Sequence, residues 1–273
     1  MNTPLPVTLG GDSLPLLIAG PCVIEGDISV DYAHQIAETL SDLPFQWVFK
    51  ASFDKANRTG SGSPRGAGMA EGIRILGQIG EEIGVPVLTD VHLPEQCKPA
   101  AEVASILQIP AFLARQTDLI EAAAQTGRAI NIKKGQFMAP NDVVQAAAKA
   151  TSFGSEEVII TERGTFFGYG RLVVDFASLP DLKNGGHPVL LDATHSVQSP
   201  GALGDRSGGD WTRAPLLLKA GAAAGFDGFF LETHPTPERS PSDGPNMIPL
   251  HHLREIVEDL LAIRAAHQKS SAV

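Results

Sequence analysis

The chain contains MAEGIRILGQIGEEI at 69–83, followed after Gly84 by VPVLTDV at 85–91. The first segment places its apolar residues at helical spacing, and the second is a short apolar run typical of a buried β-strand. A helix that leads directly into such a strand is part of a repeating β/α pattern. This stretch therefore predicts an α/β protein, and the flanking sequence shows how often the pattern repeats.

The same alternation extends in both directions, with strand starts about 30 residues apart. Predicted strands cover 14–19, 45–51, 85–91, 106–111, 129–133, 158–161, 188–193 and 228–232. Predicted helices cover 32–40, 69–83, 118–125, 142–150, 216–224 and 250–266, with an extended stretch at 172–176 and a short helix near Leu179. Eight such units predict a closed (β/α)8 barrel, the TIM-barrel fold. The alternative is an open doubly wound sheet, which is disfavoured because no Gly-rich dinucleotide loop follows the first strand.

The length and composition of the chain are those expected for one large α/β domain. The 273 residues are 43% hydrophobic and 19% charged, and no linker interrupts the β/α units. We therefore predict a single barrel domain over 1–273. Its first residues, about 1–12, are expected to form a short N-terminal extension.

Charge, hydropathy and cysteine content exclude several classes of protein. The chain has 21 basic and 31 acidic side chains, a formal net charge of −10, which argues against a general nucleic-acid binder. No apolar run approaches the ~18 residues that span a bilayer, and the first residues lack signal-peptide features. Only Cys22 and Cys97 occur, so no disulfide framework is implied, and the polar neighbours of Cys97 suggest a helix surface. These features predict a cytoplasmic protein that binds neither membranes nor nucleic acid.

Almost every predicted strand ends in polar or charged residues, and a barrel gathers the carboxyl ends of its strands on one face. Many of these residues are cations, although the chain is acidic overall: Lys50, Lys55, Arg58, Arg115, Lys133, Lys134 and Arg163. Arg matches phosphate or carboxylate with a planar fork, and Lys acts as a point charge. Converging cations predict a small polyanionic ligand. The alternative is that some are solvated, or paired with Asp54, Asp90 or Glu162.

A second group of residues surrounds the place where the barrel would close, because strands seven, eight and one become neighbours there. Four potential ligands fall in this region: Cys22, His195, Glu232 and Asp243. Thiolate, imidazole and carboxylate groups together suit a divalent transition metal. His92 and His234 are alternatives to His195 that spacing alone does not exclude.

From residue 18 to the helix after Pro249, the sequence resembles the 3-deoxy-D-manno-octulosonate 8-phosphate synthase family. The resemblance rests on IAGPC at 18–22, KASFDKANR at 50–58, QIPAFLARQTDL at 108–119, KKGQF at 133–137, TERGTFFGYGRLVVDF at 161–176, DATHSVQ at 192–198 and LETHP at 231–235. Members of this family are (β/α)8 barrels that condense phosphoenolpyruvate with D-arabinose 5-phosphate and release phosphate. The product supplies the Kdo sugar of bacterial lipopolysaccharide. The resemblance implies a transferase that is typically a homotetramer.

The resemblance also implies roles for individual residues. Five positions match residues around phosphoenolpyruvate: Lys50, Ser52, Lys55, Lys133 and Arg163. Three match the stretch that holds arabinose 5-phosphate: Asn57, Arg58 and Thr59, the last in place of the usual Ser. Arg115 matches a phosphate-binding Arg that approaches a site in the oligomer. The implied catalytic residues are Cys22, Lys55, Lys133 and His195.

The family has metal-dependent and metal-independent branches. Cys22 stands where the metal-independent branch has Asn, and Ser242-Asp243-Gly244 stands where it has Cys-Asp-Gly. The resemblance therefore implies the metal-dependent branch. The implied cofactor is a divalent ion, Fe²⁺, Mn²⁺, Co²⁺ or Zn²⁺, held by Cys22, His195, Glu232 and Asp243.

Two other functions remain open from the residues alone. The 3-deoxy-D-arabino-heptulosonate 7-phosphate synthases use erythrose 4-phosphate, but they have Lys-Pro-Arg-Thr where this chain has Lys55-Ala56-Asn57-Arg58. A non-catalytic barrel that only binds a sugar phosphate should have lost Lys or metal-ligand positions, and none is missing here.

Overall fold

The computed structural model describes residues 6–8, 14–56, 65–199 and 208–271. Eight parallel strands form its barrel: β1 (Leu16–Gly20), β2 (Gln46–Lys50), β3 (Val87–Asp90), β4 (Ile106–Ile109), β5 (Ala129–Lys133), β6 (Val158–Glu162), β9 (Val189–Asp192) and β12 (Gly228–His234). They pair in the order β1-β2-β3-β4-β5-β6-β9-β12, and β12 pairs with β1 to close the barrel. The predicted (β/α)8 barrel is therefore confirmed, and the open sheet is excluded.

The other strands of the described chain are two residues long. β7 (Thr165–Phe166) pairs antiparallel with β8 (Leu172–Val173), so the segment after β6 forms a hairpin. β10 (Gln198–Ser199) pairs antiparallel with β11 (Gly208–Gly209), and β13 (Ile248–Pro249) extends the pairing of β12. The extended stretch predicted at 172–176 is therefore a strand only in its first two residues.

Helices fill the connections: α1 (Ile28–Leu40), α2 (Met69–Ile83), α3 (Pro94–Ala100), α4 (Thr117–Ala124), α5 (Pro140–Ser152), α6 (Leu179–Lys183), α7 (Ala193–Ser196), α8 (Ala214–Ala224) and α9 (Leu250–Ser271). The predicted helices are confirmed, with small differences at their ends. No helix in the described part of the chain combines the length and apolarity needed to cross a bilayer.

Two of these helices, α3 and α7, were not predicted. α3 begins at Pro94, at the first helical position that proline favours, but it also contains Pro99, and proline has the lowest propensity for a helix interior. Its position between β3 and β4 nevertheless buries Cys97 and Ala100. Cys97 is 1% exposed and belongs to the core between strands and helices, so the expectation of a helix-surface position is wrong. Its polar sequence neighbours occupy the other face of the helix.

Apolar side chains form two layers, because the barrel strands are buried on both faces. The residues that point into the barrel form an inner cluster: Val7, Leu16, Ile18, Val48, Leu88, Ile106, Ala129, Ile159, Leu190 and Phe230. The residues that point outward pack against the helices in a larger cluster. Val7 comes from the N-terminal segment, where the Thr8 N–H donates to Gln46 Oε1 at 2.7 Å. The predicted extension thus contacts the barrel through 6–8, and the rest of 1–12 lies outside the described residues.

Candidate active site at the carboxyl end of the barrel

The inner faces of the barrel strands change from apolar to charged near their carboxyl ends. Side chains alternate between the two faces of a strand, so a residue two positions after an inner residue also points inward. Inner Val48 is followed by Lys50, and inner Phe230 by Glu232. The same step places further buried polar side chains at this end: Asp90, Asn131, Lys133, Thr161, Arg163 and Asp192. The barrel therefore collects at one end most of the charged residues that the strand-end pattern singled out.

Lys50 ends β2, and its side chain reaches the seam of the barrel, where β12 meets β1. Its Nζ forms an ion pair with Glu232 and donates to the carbonyl oxygens of Pro21, at 3.4 Å, and Cys22, at 3.1 Å. Gly20 makes this close packing possible, because a Cβ at that position would lie 2.1 Å from the Lys50 carbonyl oxygen. Lys50 thus joins three neighbouring strands at the mouth of the barrel.

Lys133 is held between an anion and an aromatic ring. Its Nζ forms an ion pair with Asp192 and lies 3.0 Å from the centre of the Phe230 ring. Burial lowers the pKa of Lys133 to about 8, and the attraction of Asp192 offsets this effect only in part. An ammonium group with such a pKa can exchange a proton close to neutral pH.

Lys55 behaves differently, although it is also buried. Burial alone would lower its pKa, but the Cys22, Asp90 and Glu232 groups nearby raise it above the ordinary lysine value. For Asp90, burial would raise the pKa, but Lys55 and His92 lower it well below its usual range. Lys55 is therefore a permanent cation beside a permanent carboxylate.

Several buried polar atoms at this end have no hydrogen-bond partner among the described residues: Ser52 Oγ, Asp90 Oδ1, Gln136 Oε1, Arg163 Nη1 and Glu232 Oε2. Buried polar groups in proteins are almost always paired with protein, water or ligand. Arg163 illustrates the point, since Nη2 donates to Gln198 Oε1 at 2.8 Å while Nη1 has no acceptor within the ranges that the structure describes. The donors of Ser52 and Arg163 suit the oxygens of an anionic ligand.

Three of the four predicted metal ligands meet at the seam. Cys22 Sγ and one carboxylate oxygen each of Glu232 and Asp243 all lie within 4.8 Å of one another. The fourth, His195, adjoins this group, with Nε2 3.6 Å from Glu232 Oε1. Its Nδ1 lies 2.7 Å from Asp192 Oδ2, an arrangement that directs Nε2 toward Glu232.

The chemistry of this donor set fits a divalent transition metal. Burial, and then the charge of Glu232, raise the pKa of the Cys22 thiol to about 12. A thiol, an imidazole and two carboxylates are the ligands that zinc and iron accept, and a metal deprotonates a thiol that it binds. A divalent cation would also take up Glu232 Oε2, which lacks a hydrogen-bond partner among the described residues. The residues present therefore fit such an ion.

The two alternative histidines lie outside this group. His92 Nε2 is 3.2 Å from Asp90 Oδ2. His234 Nε2 is 3.2 Å from Glu25 Oε1, and its Nδ1 accepts a hydrogen bond from the Thr236 N–H at 2.8 Å. Of the three candidates, His195 is therefore the one in contact with the seam carboxylates.

Not every predicted cation reaches the mouth of the barrel. Lys134 faces the opposite side of its strand and forms a buried ion pair with Glu162, with Nζ 3.4 Å from Oε2. For Lys134 the alternative expectation, a pairing with Glu162, is therefore confirmed, because Lys134 follows inward-facing Lys133 and its side chain lies on the other face. Arg115 has an exposed side chain, and Asn57, Arg58 and Thr59 lie outside the described residues.

The sequence analysis missed two residues that organise the site. Asp192 contacts both Lys133 and His195, and it is the last residue of β9, three residues before the histidine. Phe230 supports Lys133 and also lies 5.7 Å from Lys50 Nζ, measured to the ring centre. The two-residue period of a strand could have identified both residues. It puts Asp192 on the same strand face as Leu190, and Phe230 on the same strand face as Glu232.

Comparison with known proteins places this arrangement in a family. The chain matches the DAHP synthetase I family over residues 2–266. It is 50% identical over 268 residues to a 2-dehydro-3-deoxyphosphooctonate aldolase of Magnetococcus marinus, which covers 96% of this chain and 92% of the relative. Proteins of the same name from a Synechococcus species and from Granulibacter bethesdensis are each 53% identical, over 258 and 260 residues. Those matches cover 94% and 93% of this chain, and 91% and 92% of the relatives. The chain therefore belongs to the DAHP synthetase I family and, within it, to the 2-dehydro-3-deoxyphosphooctonate aldolases, also called 3-deoxy-D-manno-octulosonate 8-phosphate synthases.

Proposed function

We infer that this chain condenses phosphoenolpyruvate with D-arabinose 5-phosphate and water, which yields 3-deoxy-D-manno-octulosonate 8-phosphate and phosphate. This reaction belongs to the biosynthesis of Kdo and lipopolysaccharide. One structural observation carries the inference: an acidic protein buries a group of cations at the mouth of its barrel, with donors that lack partners among the described residues. The names of its relatives agree with this reaction and do not favour erythrose 4-phosphate as the acceptor.

Phosphoenolpyruvate carries two anionic groups, a phosphate and a carboxylate. The residues proposed to bind it are Lys50, Ser52, Lys55, Lys133 and Arg163. Their burial supports this role, because charge-assisted hydrogen bonds are stronger where water is excluded. Holding two anionic reactants in register removes part of the entropic barrier, which amounts to about 7–11 kcal/mol in ideal cases.

In the proposed reaction, C3 of phosphoenolpyruvate attacks the aldehyde carbon and water adds at C2. The resulting hemiketal phosphate then loses phosphate by cleavage of the C–O bond. Proton transfers accompany these steps, and Lys133, with a pKa of about 8, is suited to hold or release a proton at Nζ. Lys55 stays protonated and orients anionic oxygens. The permanent carboxylate of Asp192 orients both Lys133 and His195.

We propose that Cys22, His195, Glu232 and Asp243 hold a divalent ion, Fe²⁺, Mn²⁺, Co²⁺ or Zn²⁺. Such an ion would supply Lewis-acid stabilisation of negative charge that develops on oxygen. The approach of Cys22, Glu232 and Asp243 to within 4.8 Å supports this proposal, as does the orientation of His195 by Asp192.

Three further proposals rest on the family resemblance. Asn57, Arg58 and Thr59 hold arabinose 5-phosphate, next to Lys55 in sequence. The protein is a cytoplasmic homotetramer. Arg115 then reaches a phosphate at a site in the oligomer, which is compatible with its exposed side chain.

The test of the reaction is phosphate release from phosphoenolpyruvate with arabinose 5-phosphate or erythrose 4-phosphate, each with and without a chelator. We expect kcat/KM to be higher for arabinose 5-phosphate and turnover to cease with the chelator. A preference for erythrose 4-phosphate would reject the proposed acceptor. Tight binding of both substrates without phosphate release would indicate a non-catalytic barrel.

A further inference from the structure

We propose that Lys134 and Glu162 form a buried positioning pair that holds Arg163 in its orientation toward phosphoenolpyruvate. The proposal rests on the proposed function, because it takes Arg163 as a ligand of that substrate. Lys134 directly follows Lys133, and Glu162 directly precedes Arg163. Because side chains alternate along a strand, both members of the pair lie on the face opposite to that of Lys133 and Arg163, which point into the barrel.

Lys134 links β5 to the hairpin that follows β6. Its Nζ lies 3.4 Å from Glu162 Oε2, and both side chains are 2% exposed. The same Nζ donates to Thr165 Oγ1 at 2.8 Å and to the carbonyl oxygens of Gly135 and Met138 at 3.4 Å each. One buried ammonium group thus connects the loop after β5, the end of β6 and the first residue of β7.

Glu162 determines the backbone on the far side of Arg163. Its Oε1 accepts a hydrogen bond from the Gly164 N–H at 2.6 Å. Gly164 has φ +90°, in the left-handed region that favours glycine, and a Cβ there would lie 2.9 Å from Leu172 Cβ. The backbone on both sides of Arg163 is therefore restrained, so its guanidinium can direct Nη1 to a ligand while Nη2 bonds Gln198.

Stability alone is a poor explanation for this pair. A buried ion pair loses the hydration of two charges, and apolar side chains of similar volume often stabilise a protein as well or better. Apolar side chains would lack the directed hydrogen bonds to Gly164 and Thr165, however. The positions of these bonds, on the two residues that follow Arg163, indicate a role in orienting it.

The test compares the dissociation constant of phosphoenolpyruvate, measured by titration calorimetry, in the wild type and in Lys134→Met, Glu162→Leu and Glu162→Gln. KM for both substrates, kcat and the melting temperature are measured alongside. We expect phosphoenolpyruvate to bind about five- to a hundredfold more weakly in Lys134→Met and Glu162→Leu, since small displacements of a positioning group have effects of this size. KM for arabinose 5-phosphate should change by less than about twofold. Glu162→Gln should recover part of the affinity, because an amide oxygen still accepts from Gly164.

A matched control separates positioning from stability. Lys183→Met removes the ion pair between Lys183 and Asp227, 2.9 Å long, at the amino end of the barrel. It should leave the affinity for phosphoenolpyruvate unchanged. If the buried variants fail to fold, Thr165→Val removes only the hydroxyl that accepts from Lys134, and we expect it to weaken phosphoenolpyruvate binding about two- to fivefold.

Folded Lys134→Met and Glu162→Leu proteins, or a folded Thr165→Val protein, that bind phosphoenolpyruvate as tightly as the wild type would overturn the proposal. An equal loss of affinity in Lys183→Met would overturn it too, because the effect would then follow stability. Unchanged binding by Arg163→Ala would remove Arg163 from the substrate site and the positioning role with it. A wild type that binds phosphoenolpyruvate but does not condense it with arabinose 5-phosphate would refute the proposed reaction and leave this comparison intact.

Discussion

The pH dependence of folding stability provides a direct test of the environment of Lys133. Its pKa is lowered from 10.5 to about 8, chiefly by burial. Below about pH 8 both the folded and the unfolded protein carry the proton, and the folded state bears the cost of the buried charge. Between about 8 and 10.5 the unfolded state binds more protons, so the free energy of unfolding rises with pH. The difference between these pKa values corresponds to about 3 kcal/mol.

The perturbation is Lys133→Met, which removes the titrating group and keeps an unbranched apolar side chain next to Phe230. Urea unfolding of both proteins, followed by circular dichroism, is measured at intervals from about pH 7 to about pH 11. Subtracting the two curves cancels the titration of groups that behave alike in both proteins. We expect the stability of the wild type, relative to Lys133→Met, to rise by about 3 kcal/mol across this range. Lys183→Met, which removes a partly exposed ion pair, is the matched control.

A difference between wild type and Lys133→Met that stays constant within about 1 kcal/mol from pH 7 to 11 would refute the reasoning. It would mean that Lys133 keeps an ordinary pKa despite its burial. The proton exchange proposed for Lys133 near neutral pH would then lose its physical basis. A fall in relative stability with rising pH would contradict the sign of the effect as well.

Three further predictions concern other parts of the barrel. Cys22→Ala should contain no bound metal by elemental analysis and should release no phosphate, while its circular dichroism spectrum stays that of the wild type. A Cys22→Ala protein that retains the metal, or a metal-free wild type that is fully active, would contradict the proposed ligand set. Arg58→Ala should mainly raise KM for arabinose 5-phosphate, and Arg163→Ala should mainly raise KM for phosphoenolpyruvate. Each KM should rise about ten- to a hundredfold, since a hydrogen bond to a charged group contributes about 1.5–3 kcal/mol. Steady-state kinetics in which both variants affect the two substrates alike would reject the assignment of each arginine to one substrate. Gly20→Ala should lower the free energy of unfolding, measured with urea, by about 1–3 kcal/mol or more, because the added Cβ would lie 2.1 Å from the Lys50 carbonyl oxygen. An unchanged free energy of unfolding would contradict this close packing.

The fold could be predicted from the sequence because its pattern is local. Helical and strand periodicity are properties of consecutive residues, and their regular alternation left the closed barrel as the favoured arrangement. The exceptions have a local cause as well. The sequence of α3 contains Pro99 inside the helix, which weakens the helical signal, so this helix depends on its packing against the barrel.

The location of the candidate site was predicted for a similar reason. All strands of a parallel barrel end at the same face, so polar residues that follow the strands lie at that face whatever their type. Within that end, the expected closure of strands seven, eight and one grouped Cys22, Glu232 and Asp243, which the fold brings to within 4.8 Å of one another. The arrangement of Asn57, Arg58 and Thr59 lies outside the described residues and stays a prediction.

The partners of the buried cations were decided by the tertiary structure alone. Lys50 pairs with Glu232, 182 positions away in the chain, and Lys133 pairs with Asp192, 59 positions away. No local pattern contains such distances, because they depend on which strands become neighbours when the barrel closes and on which face each side chain occupies. The sequence by itself determined that polar and charged residues at the strand ends gather at the mouth of the barrel. Burial and long-range pairing then keep Lys55 charged, lower the pKa of Lys133 to about 8 and place the Lys134 ammonium group beside Glu162.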